Sequence, residues 1–480
     1  MFKNLIRLGI TFSVAMVAFS SCEHQDFTND LEDVDRVQVN HISDEMAKVR
    51  DYVPRMAVIA HRGSTFWTPE ETEAAWRWAR EMGADYLEAD LQCSKDGVVL
   101  ALHDDNLSRT TDIESMYGEN VPEGRKQFYI DHYKMTEAQA EAQVKADKAS
   151  FMPYYAKSYM YEELLKLDAG TWFNDATPEQ ARKGFSKRDG GVHQYLSALA
   201  DLIHYAKGKK LARKGEGEDA GKGERIYTIT KTGDPNSYKE GDKLVYTFEY
   251  VNDEEWQGNT PGIYIEFKES WLNPATFEQD VYDELAKYGY NIMEKPSNDT
   301  RFYVNGKVNV GNTNGKVILQ TFSLESLRRT ADVFKGQIPM CFLLWEGTAA
   351  TDLTYSTPAG YASFINLGLQ YKAHIMGPCI AGAPNNYPEL NNPWQAYLIK
   401  KSGMLNHPYS FDSREQMGKY FGEYNWGVTD ANLFEPPYLD GAFTNRTEMT
   451  LQYFIDQGVR SKDAVQTVPD ASATLDRLGY

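Results

Sequence analysis

The chain has 480 residues, and its 69 acidic residues outnumber its 50 Lys and Arg residues, which gives a net charge of −19. This excess of negative charge provides no electrostatic driving force for capturing a polyphosphate backbone, and it argues against nucleic acid as a partner. Hydrophobic residues make up 42% and aromatic residues 13% of the chain, enough to bury a large core, so intrinsic disorder is excluded for most of it.

The first 22 residues have the features of a secretory signal. Lys3 and Arg7 form a basic start, and residues 8–19 are almost all apolar or small. Cys22 follows two small residues, as in the lipobox of bacterial lipoproteins. We therefore expect an exported protein, periplasmic or at the cell surface, that a lipid on Cys22 anchors to a membrane. Cleavage at Ala18-Phe19-Ser20 to a free soluble protein is the alternative. Removing 22 residues leaves 48 basic and 69 acidic residues, a net charge of −21.

Three further cysteines, Cys93, Cys341 and Cys379, each lie in an apolar run typical of a strand. Their odd number and the lack of a CxxC spacing argue against a structural zinc site. Buried free thiols are the expected state, although export would permit one disulfide bond.

The segment after the signal begins a regular alternation of secondary structure. Residues 23–52 are polar and acidic and predict a tether that ends in a lead-in helix. A strand at 58–60 follows, and then a helix with Thr68 as its N-cap, Pro69 in its first turn and Glu71 three residues after the cap. From residue 53 onwards, strands and amphipathic helices alternate with short connections, which indicates a parallel α/β fold.

The pattern gives more strands than the expected fold requires. The candidates are residues 58–60, 85–91, 98–104, 262–268, 317–322, 340–345, 373–380, 408–411 and 440–444. A (β/α)8 TIM barrel needs eight strands, so one of these nine is wrong or lies outside the barrel.

Two segments interrupt the alternation and predict insertions. The first, at about residues 117–161, is rich in Ala, Gln, Lys and Tyr. The second, at about 174–259, contains a predicted helix at 193–207 followed by a stretch dominated by Lys, Gly and Glu, typical of an exposed, flexible segment. Residues 53–480 are therefore expected to form one barrel enlarged by these two insertions.

Charged side chains gather where the predicted strands end. Glu88 and Asp90 are two residues apart on one strand, and Glu266 and Lys268 are two apart on another, so each pair points to one side. Three carboxylates from two strands are costly to hold together without a cation, and oxygen ligands suit Ca²⁺ or Mg²⁺. A single such pair would more often be a solvated strand face or an ion pair.

Two histidines and an arginine complete this group. His61 and His103 each follow an apolar strand and can act as acid and base near neutral pH. Arg62 offers a planar fork that suits a phosphate or a carboxylate. For each residue alone, a structural role is the stronger interpretation.

The order of these motifs resembles the glycerophosphodiester phosphodiesterase family. The matching motifs are His61-Arg62-Gly63, Pro69-Glu70, Glu88-Ala89-Asp90, Lys95-Asp96-Gly97, His103-Asp104 and Arg109-Thr110-Thr111. The likeness continues in Leu167-Asp168-Ala169-Gly170, Trp172-Phe173, Glu266-Phe267-Lys268, Gln320-Thr321-Phe322-Ser323 and Asp440-Gly441-Ala442-Phe443-Thr444. It spans most of the chain after the signal and skips the two insertions.

The resemblance implies a (β/α)8 barrel enzyme that hydrolyses glycerophosphodiesters to glycerol phosphate and an alcohol. In the family's usual scheme, the glycerol hydroxyl of the substrate attacks phosphorus, and water then opens the cyclic phosphate. By this resemblance, the metal ligands are Glu88, Asp90 and Glu266. The general acid and base are His61 and His103, and the phosphate contacts are Arg62 and Lys268. Which histidine is the acid stays open.

The chain departs from the family pattern at three places. Glu71 stands where Asn is common; a capping box would give it a structural role, but an added carboxylate could alter metal binding or substrate choice. Thr444-Asn445 replaces the usual Thr-Asp, and residues 427–430 offer a second match for that strand. Residues 409–412 replace an aromatic-Thr-Val-Asn segment.

Two other functions stay open. A barrel lipoprotein could bind a glycerophosphoryl or polyol ligand without turnover, although the complete set of site residues argues against this. A phospholipase D-like enzyme could act on larger phospholipids, with Phe66, Trp67, Trp172 and Phe173 as an apolar rim, for which packing at the barrel mouth is the alternative explanation.

Overall fold

The computed structural model describes residues 34–216, 221–345, 353–385, 387–426 and 434–480. Its central barrel has eight strands, β1 (Ala57–Ala60), β2 (Tyr86–Cys93), β3 (Gly262–Phe267), β4 (Val317–Thr321), β5 (Met340–Leu344), β6 (Ile375–Pro378), β7 (Leu405–Asn406) and β8 (Gly441–Thr444). The predicted signal, Cys22 and residues 427–430 lie outside the described residues.

The eight strands form one parallel sheet that closes on itself. Strands β1 to β7 pair in sequence order, and β8 pairs with β1 on the other side. Just after β7, Phe411 forms a parallel bridge with Thr444 of β8, and its backbone nitrogen donates to the oxygen of Phe443 at 2.8 Å. These contacts close the sheet, and the predicted (β/α)8 barrel is confirmed.

Each barrel strand is followed by a helix on the outside. These helices are α1 (Glu73–Met82), α2 (Leu199–Ala206), α3 (Phe277–Lys287), α4 (Leu324–Phe334), α5 (Pro358–Gln370), α6 (Pro393–Ser402), α7 (Arg414–Gly418) and α8 (Thr447–Asp456). Further helices are Asp44–Arg50, Ile113–Tyr117, Arg125–Tyr133, Glu137–Ser150, Tyr161–Leu164, Thr171–Ala176 and Ala471–Leu478. Within the described parts of the chain, none of the helices combines the length and apolarity needed to cross a membrane.

Short elements lie outside the barrel. The strands are Val99–Ala101, Lys209–Leu211 with Tyr250–Asn252, Tyr227–Lys231 with Leu244–Phe248, and Tyr303–Val304 with Lys307–Val308. Single 3-10 turns are His61–Gly63, Ala156–Ser158, Lys183–Phe185 and Val310–Asn312, and a π-turn covers Lys419–Glu423. The helix predicted at 193–207 is α2, which packs against α1.

The surplus candidate strand, at residues 98–104, lies outside the barrel. Residues Val99–Ala101 pair antiparallel with β2, with Ala101 opposite Leu91. The turn between them is too short for the crossover that a parallel neighbour needs, so the chain can only fold back. The strand predicted at residues 408–411 lies too far along the chain. The seventh barrel strand, β7, is Leu405–Asn406, and the predicted segment contributes only isolated bridges at Tyr409 and Phe411.

The predicted start of α1 was wrong. Thr72, not Thr68, is the N-cap, and its hydroxyl accepts a hydrogen bond from the nitrogen of Ala75 at 3.3 Å. Thr68 instead donates to the carbonyl of Ser64 at 3.2 Å. Glu71 has a φ of +56°, which no α-helix contains, so it lies before the helix and forms no capping box.

The strand alternation places polar side chains above an apolar plug. On β2, Tyr86 packs inside the barrel near Tyr264 of β3, and Glu88 and Asp90 follow on the same side. Leu87 and Leu91 point outward into the core between strands and helices. The barrel interior is therefore sealed by aromatic and aliphatic side chains below and carries carboxylates towards its carboxyl-terminal end. The cysteines Cys93, Cys341 and Cys379 are buried and form no disulfide bond with one another, as expected.

Candidate active site

The three predicted metal ligands lie together at the carboxyl-terminal end of the barrel. Asp90 of β2 is directly opposite Glu266 of β3, and Glu88 is one pleat below. One carboxylate oxygen from each of the three residues lies within 4.8 Å of the others, and all three side chains are buried. The alternation of strand side chains accounts for this closeness.

The carboxylates carry more negative charge than their surroundings compensate. Burial and the charge of Asp90 raise the pKa of Glu88 well above its usual range, and burial raises the pKa of Glu266 to about 8. Burial also acts against ionisation of Asp90, but Lys268, His103 and Arg62 together lower its pKa. Asp90 Oδ2 is buried without a hydrogen-bond partner. An oxygen-only, electron-rich donor set with one unused oxygen fits a hard divalent cation.

Two cationic side chains border these carboxylates. Lys268 Nζ lies 3.2 Å from Glu266 Oε1 and 3.6 Å from Asp90 Oδ1. Arg62 Nε lies 3.5 Å from Asp90 Oδ2 and has no hydrogen-bond partner, although it is buried. Neither side chain forms a close bidentate ion pair, so both can donate hydrogen bonds to the oxygens of an anionic phosphate.

His61 is held by a neutral side chain. Its Nδ1 lies 2.7 Å from Oδ1 of Asn445, and Nδ2 of Asn445 donates to Oδ1 of Asp412 at 2.8 Å. Because an ionised carboxylate can only accept, Asp412 turns the amide oxygen of Asn445 towards His61, and the proton sits on Nδ1. Burial, aided by the charge of Arg62, lowers the pKa of His61 to about 3. The free Nε2 is therefore a lone-pair acceptor.

His103 is held by a charged side chain. Its Nδ1 lies 2.7 Å from Oδ1 of Asp104. Arg109 in turn donates from Nε to Asp104 and from Nη2 to Glu70 Oε1 at 2.6 Å. Burial and the charge of Arg62 lower the pKa of His103, while Asp90 and Asp104 act in the opposite direction. The sequence pattern contained Asp104 and Arg109, but it did not show that they support this histidine.

Gly63 makes possible the turn that places His61 and Arg62 after the first strand. Gly63 has a φ of +81°, and a Cβ atom there would lie 2.5 Å from Cβ of Ala75. Only glycine fits this approach to α1. The same turn directs the backbone nitrogen of Arg62 to Glu88 Oε2 at 2.7 Å, while Gln320 Nε2 donates to Glu88 Oε1 at 2.9 Å. Gln320 thus belongs to the site.

Glu71 is also a site residue rather than a helix cap. Its Oε1 accepts a hydrogen bond from the backbone nitrogen of Asp90 at 2.7 Å, and its side chain is buried. Burial and the charge of Asp90 raise its pKa well above the usual range. Since its position depends on a left-handed backbone conformation, the capping pattern in the sequence pointed to the wrong role.

The four aromatic residues predicted at the mouth do not form one rim. Phe173 is buried and packs on Phe185, so it belongs to the core. Trp67 packs against the buried Trp78. Of the other two, Phe66 lies under the guanidinium of Arg446 at 4.1 Å, and Trp172 lies under that of Arg109 at 5.3 Å. These two rings buttress arginines beside the site.

Sequence comparison finds proteins that are similar to this chain. Residues 61–220 match the model of the glycerophosphoryl diester phosphodiesterase family. A glycerophosphodiester phosphodiesterase of Bacillus subtilis is 24% identical over 395 residues, which are 82% of this chain and 85% of the relative. A glycerophosphodiester phosphodiesterase of Caldanaerobacter subterraneus is 40% identical over 81 residues, 17% of this chain and 30% of the relative.

Solved structures of similar proteins include a phosphodiesterase of Oleispira antarctica in complex with the product sn-glycerol-3-phosphate. It is 14% identical, covers 83% of this chain and 97% of its own, and has a TM-score of 0.44. A glycerophosphoryl diester phosphodiesterase of Parabacteroides distasonis is 10% identical, with 89% and 96% coverage and a TM-score of 0.42. Over residues 61–220 the chain is thus similar to the glycerophosphoryl diester phosphodiesterase family, and over most of its length it is similar to the glycerophosphodiester phosphodiesterase of Bacillus subtilis.

Proposed function

We propose that the protein hydrolyses glycerophosphodiesters to glycerol phosphate and an alcohol, with a divalent cation, Ca²⁺ or Mg²⁺, and with His61 and His103 as the proton-transfer groups. The observation that carries this proposal is the grouping of three carboxylates from β2 and β3 within 4.8 Å, near two histidines whose Nδ1 atoms both have a hydrogen-bond partner. A buried oxygen cluster beside two such histidines is suited to phosphodiester chemistry.

Glu88, Asp90 and Glu266 would hold the cation. When bound, a divalent cation supplies positive charge against the negative charge that develops on the phosphoryl oxygens. Lys268 and Arg62 donate hydrogen bonds to those oxygens from the two sides of the carboxylate cluster, where both have unused donors. The substrate carries one negative charge, so these local cations can bind it despite the acidic chain.

The two histidines have different hydrogen-bond partners, and this difference supports a different role for each. His61, hydrogen-bonded to the amide of Asn445, stays neutral and accepts the proton of the attacking glycerol hydroxyl at Nε2. His103, hydrogen-bonded to the carboxylate of Asp104, is the better holder of a second proton and gives it to the leaving alcohol oxygen. The P–O bond to the alcohol breaks as the cyclic phosphate forms, and water opens that ring with the roles exchanged.

The roles are tested by substitution. His61→Ala or His103→Ala should abolish turnover of glycerophosphocholine while the far-UV and near-UV circular dichroism spectra stay unchanged. Near-normal activity of either variant would contradict the acid and base assignment. Parallel assays with glycerophosphoethanolamine, glycerophosphoinositol and an intact phospholipid identify the alcohol group that the enzyme prefers in its substrate. Hydrolysis of the phospholipid alone would favour a phospholipase D-like function.

The metal is tested by removal. Treatment with EDTA should silence the enzyme, and dialysis into Ca²⁺ or Mg²⁺ should restore activity with the native ion. Full activity in metal-free protein would contradict the metal dependence. A protein that binds glycerol phosphate but turns over none of these diesters would instead be a binding protein.

We also propose that the protein is exported and anchored to a membrane through a lipid on Cys22. The basic start, the apolar stretch and the small residues before Cys22 support this, and they lie outside the described residues. In a detergent phase-partition experiment, the native protein should enter the detergent phase and Cys22→Ala should stay in the aqueous phase. Equal partitioning of both would favour a free soluble product.

A further inference from the structure

Glu71 is a fourth buried carboxylate beside the three proposed metal ligands. Its side chain is 5% exposed, and its Oε1 accepts a hydrogen bond from the backbone nitrogen of Asp90 at 2.7 Å. Its own backbone nitrogen donates to the carbonyl of Arg62 at 3.0 Å. Glu71 therefore ties the turn after β1 to the strand that carries two of the carboxylates.

The backbone at this position is unfavourable for glutamate. Its φ of +56° lies in the left-handed region, which residues other than Gly, Asn and Asp seldom adopt. Such conformations persist where the surrounding structure holds them in place, and they gather at functional sites. The chain thus holds a fourth carboxyl group beside the other three in an unfavourable backbone conformation.

The balance of acidic and basic groups in the pocket indicates a function for the carboxyl group of Glu71. Four carboxyl groups, those of Glu71, Glu88, Asp90 and Glu266, lie near two cations, Arg62 and Lys268, and Arg62 also lies 3.6 Å from a carboxylate oxygen of Glu70. Acidic groups therefore outnumber the cations, a divalent cation would offset this excess, and Asp90 Oδ2 is a buried oxygen with no hydrogen-bond partner. Glu71 lies outside the group of three whose oxygens share a 4.8 Å space. Its charge can still act over a longer distance in a poorly solvated pocket.

We propose that Glu71 is a positioning residue for the metal site. It fixes β2 at Asp90 through the hydrogen bond to the backbone, and its charge raises the affinity for a divalent cation without contributing a ligand atom. This inference rests on the proposed function, because it assumes that the cation binds to Glu88, Asp90 and Glu266.

Glu71→Gln tests the charge alone, because the amide keeps the size and the accepting oxygen of the side chain. Calorimetric titration of the metal-free full chain with Ca²⁺, and separately with Mg²⁺, should give a dissociation constant about tenfold or more above that of the wild type for the ion the protein binds. Metal-free Glu71→Gln should melt at the wild-type temperature or above it, because the amide keeps the hydrogen bond to the backbone of Asp90 and cannot become negatively charged beside the other carboxyl groups.

A purely structural residue would behave in the opposite way, with a lower melting temperature of the metal-free variant and an unchanged dissociation constant. That result would overturn the inference. Glu278→Gln is the matched control, since Glu278 is 2% exposed on α3 and hydrogen-bonds Ser326 away from the site. It should leave the dissociation constant unchanged. Wild-type protein that binds neither ion would overturn the metal-dependent function as well, whereas a normal wild type with an unaffected Glu71→Gln would overturn the role of Glu71 alone.

Discussion

The imidazole Nδ1 of His61 lies 2.7 Å from the side-chain oxygen of Asn445, whereas that of His103 lies 2.7 Å from a carboxylate oxygen of Asp104. An amide and a carboxylate fix the same tautomer, but only the carboxylate stabilises the imidazolium by its charge. Burial and the charge of Arg62 lower the pKa of His61 to about 3, although the hydrogen bond to Asn445 and the charge of Asp90 act in the opposite direction. This difference in hydrogen-bond partner supports the proposal that the two histidines transfer protons at different steps.

Exchanging the amide and the carboxylate behind His61 should change the pH profile. In the double variant Asn445→Asp with Asp412→Asn, the net charge is kept, but the carboxylate now touches Nδ1. The pKa of His61 should rise from about 3 towards its ordinary value of 6.5. Because the general base must be neutral, the acid limb of kcat/KM should move to higher pH. The measurement is kcat/KM for glycerophosphocholine between pH 4 and 9.

Asp104→Asn is the companion experiment on the other histidine. Loss of the carboxylate should lower the pKa of His103, so the alkaline limb of kcat/KM should move to lower pH while the acid limb stays in place. Coincident profiles for the wild type and both variants would show that neither hydrogen-bond partner tunes its histidine.

Arg109 should matter through the shape of its side chain. Its guanidinium donates to Asp104 and to both oxygens of Glu70, so it holds Asp104 against His103. Arg109→Lys keeps the charge but cannot reach both carboxylates in this way. A lost charge-assisted hydrogen bond corresponds to about a tenfold fall in kcat. Since Arg109 is half-exposed, the free energy of unfolding in urea should change by less than about 1 kcal/mol. Equal kcat values for Arg109→Lys and the wild type would contradict this role.

The alternation of side chains along strands was sufficient to predict the part of the site that lies on strands. Glu88 and Asp90 are two residues apart on β2, and the register places Asp90 opposite Glu266, so their closeness follows from the pleat of a parallel sheet. The eight-strand barrel follows from the same alternation of strands and helices, and the surplus candidate at 98–104 folds back because its turn is short.

The residues that hydrogen-bond to the histidines, and the residues that hold them, could not be predicted from the alternation of side chains along strands. Asp412 meets Asn445 only because residues after β7 close the barrel against β8, 33 positions along the chain. Glu70 meets Arg109 across 39 positions. The sequence leaves open whether Glu71 caps a helix that begins after Thr68 or adds a carboxylate to the site, because the answer depends on tertiary contacts that hold Glu71 in the left-handed region.

Gly63→Ala should destabilise the turn that presents His61 and Arg62. The added Cβ would lie 2.5 Å from Cβ of Ala75 and 2.9 Å from its backbone carbon, at a φ of +81°. Overpacking and the strained backbone together should lower the free energy of unfolding by about 2–4 kcal/mol, as measured by urea denaturation at pH 7. Gly97→Ala is the matched control, because Gly97 has a φ of +86° and open space around it, so only about 1 kcal/mol should be lost. Equal losses for the two variants would show that the contact with Ala75 is unimportant.

Acid should destabilise the protein partly through a histidine far from the site. His374 is fully buried, its Nδ1 accepts from the nitrogen of Met340 at 3.1 Å, and burial lowers its pKa from 6.5 to about 3. As the pH falls below 6.5, the unfolded chain takes up a proton that the folded chain refuses, so the free energy of unfolding falls until about pH 3. His374→Asn keeps an acceptor near Nδ1 but cannot ionise. Between pH 7 and pH 4 it should therefore lose less stability than the wild type, by on the order of 3 kcal/mol. Urea unfolding at both pH values measures this difference, and the fixed cost of the substitution cancels because each protein is compared with itself. Parallel losses in the two proteins would place the acid sensitivity in other groups.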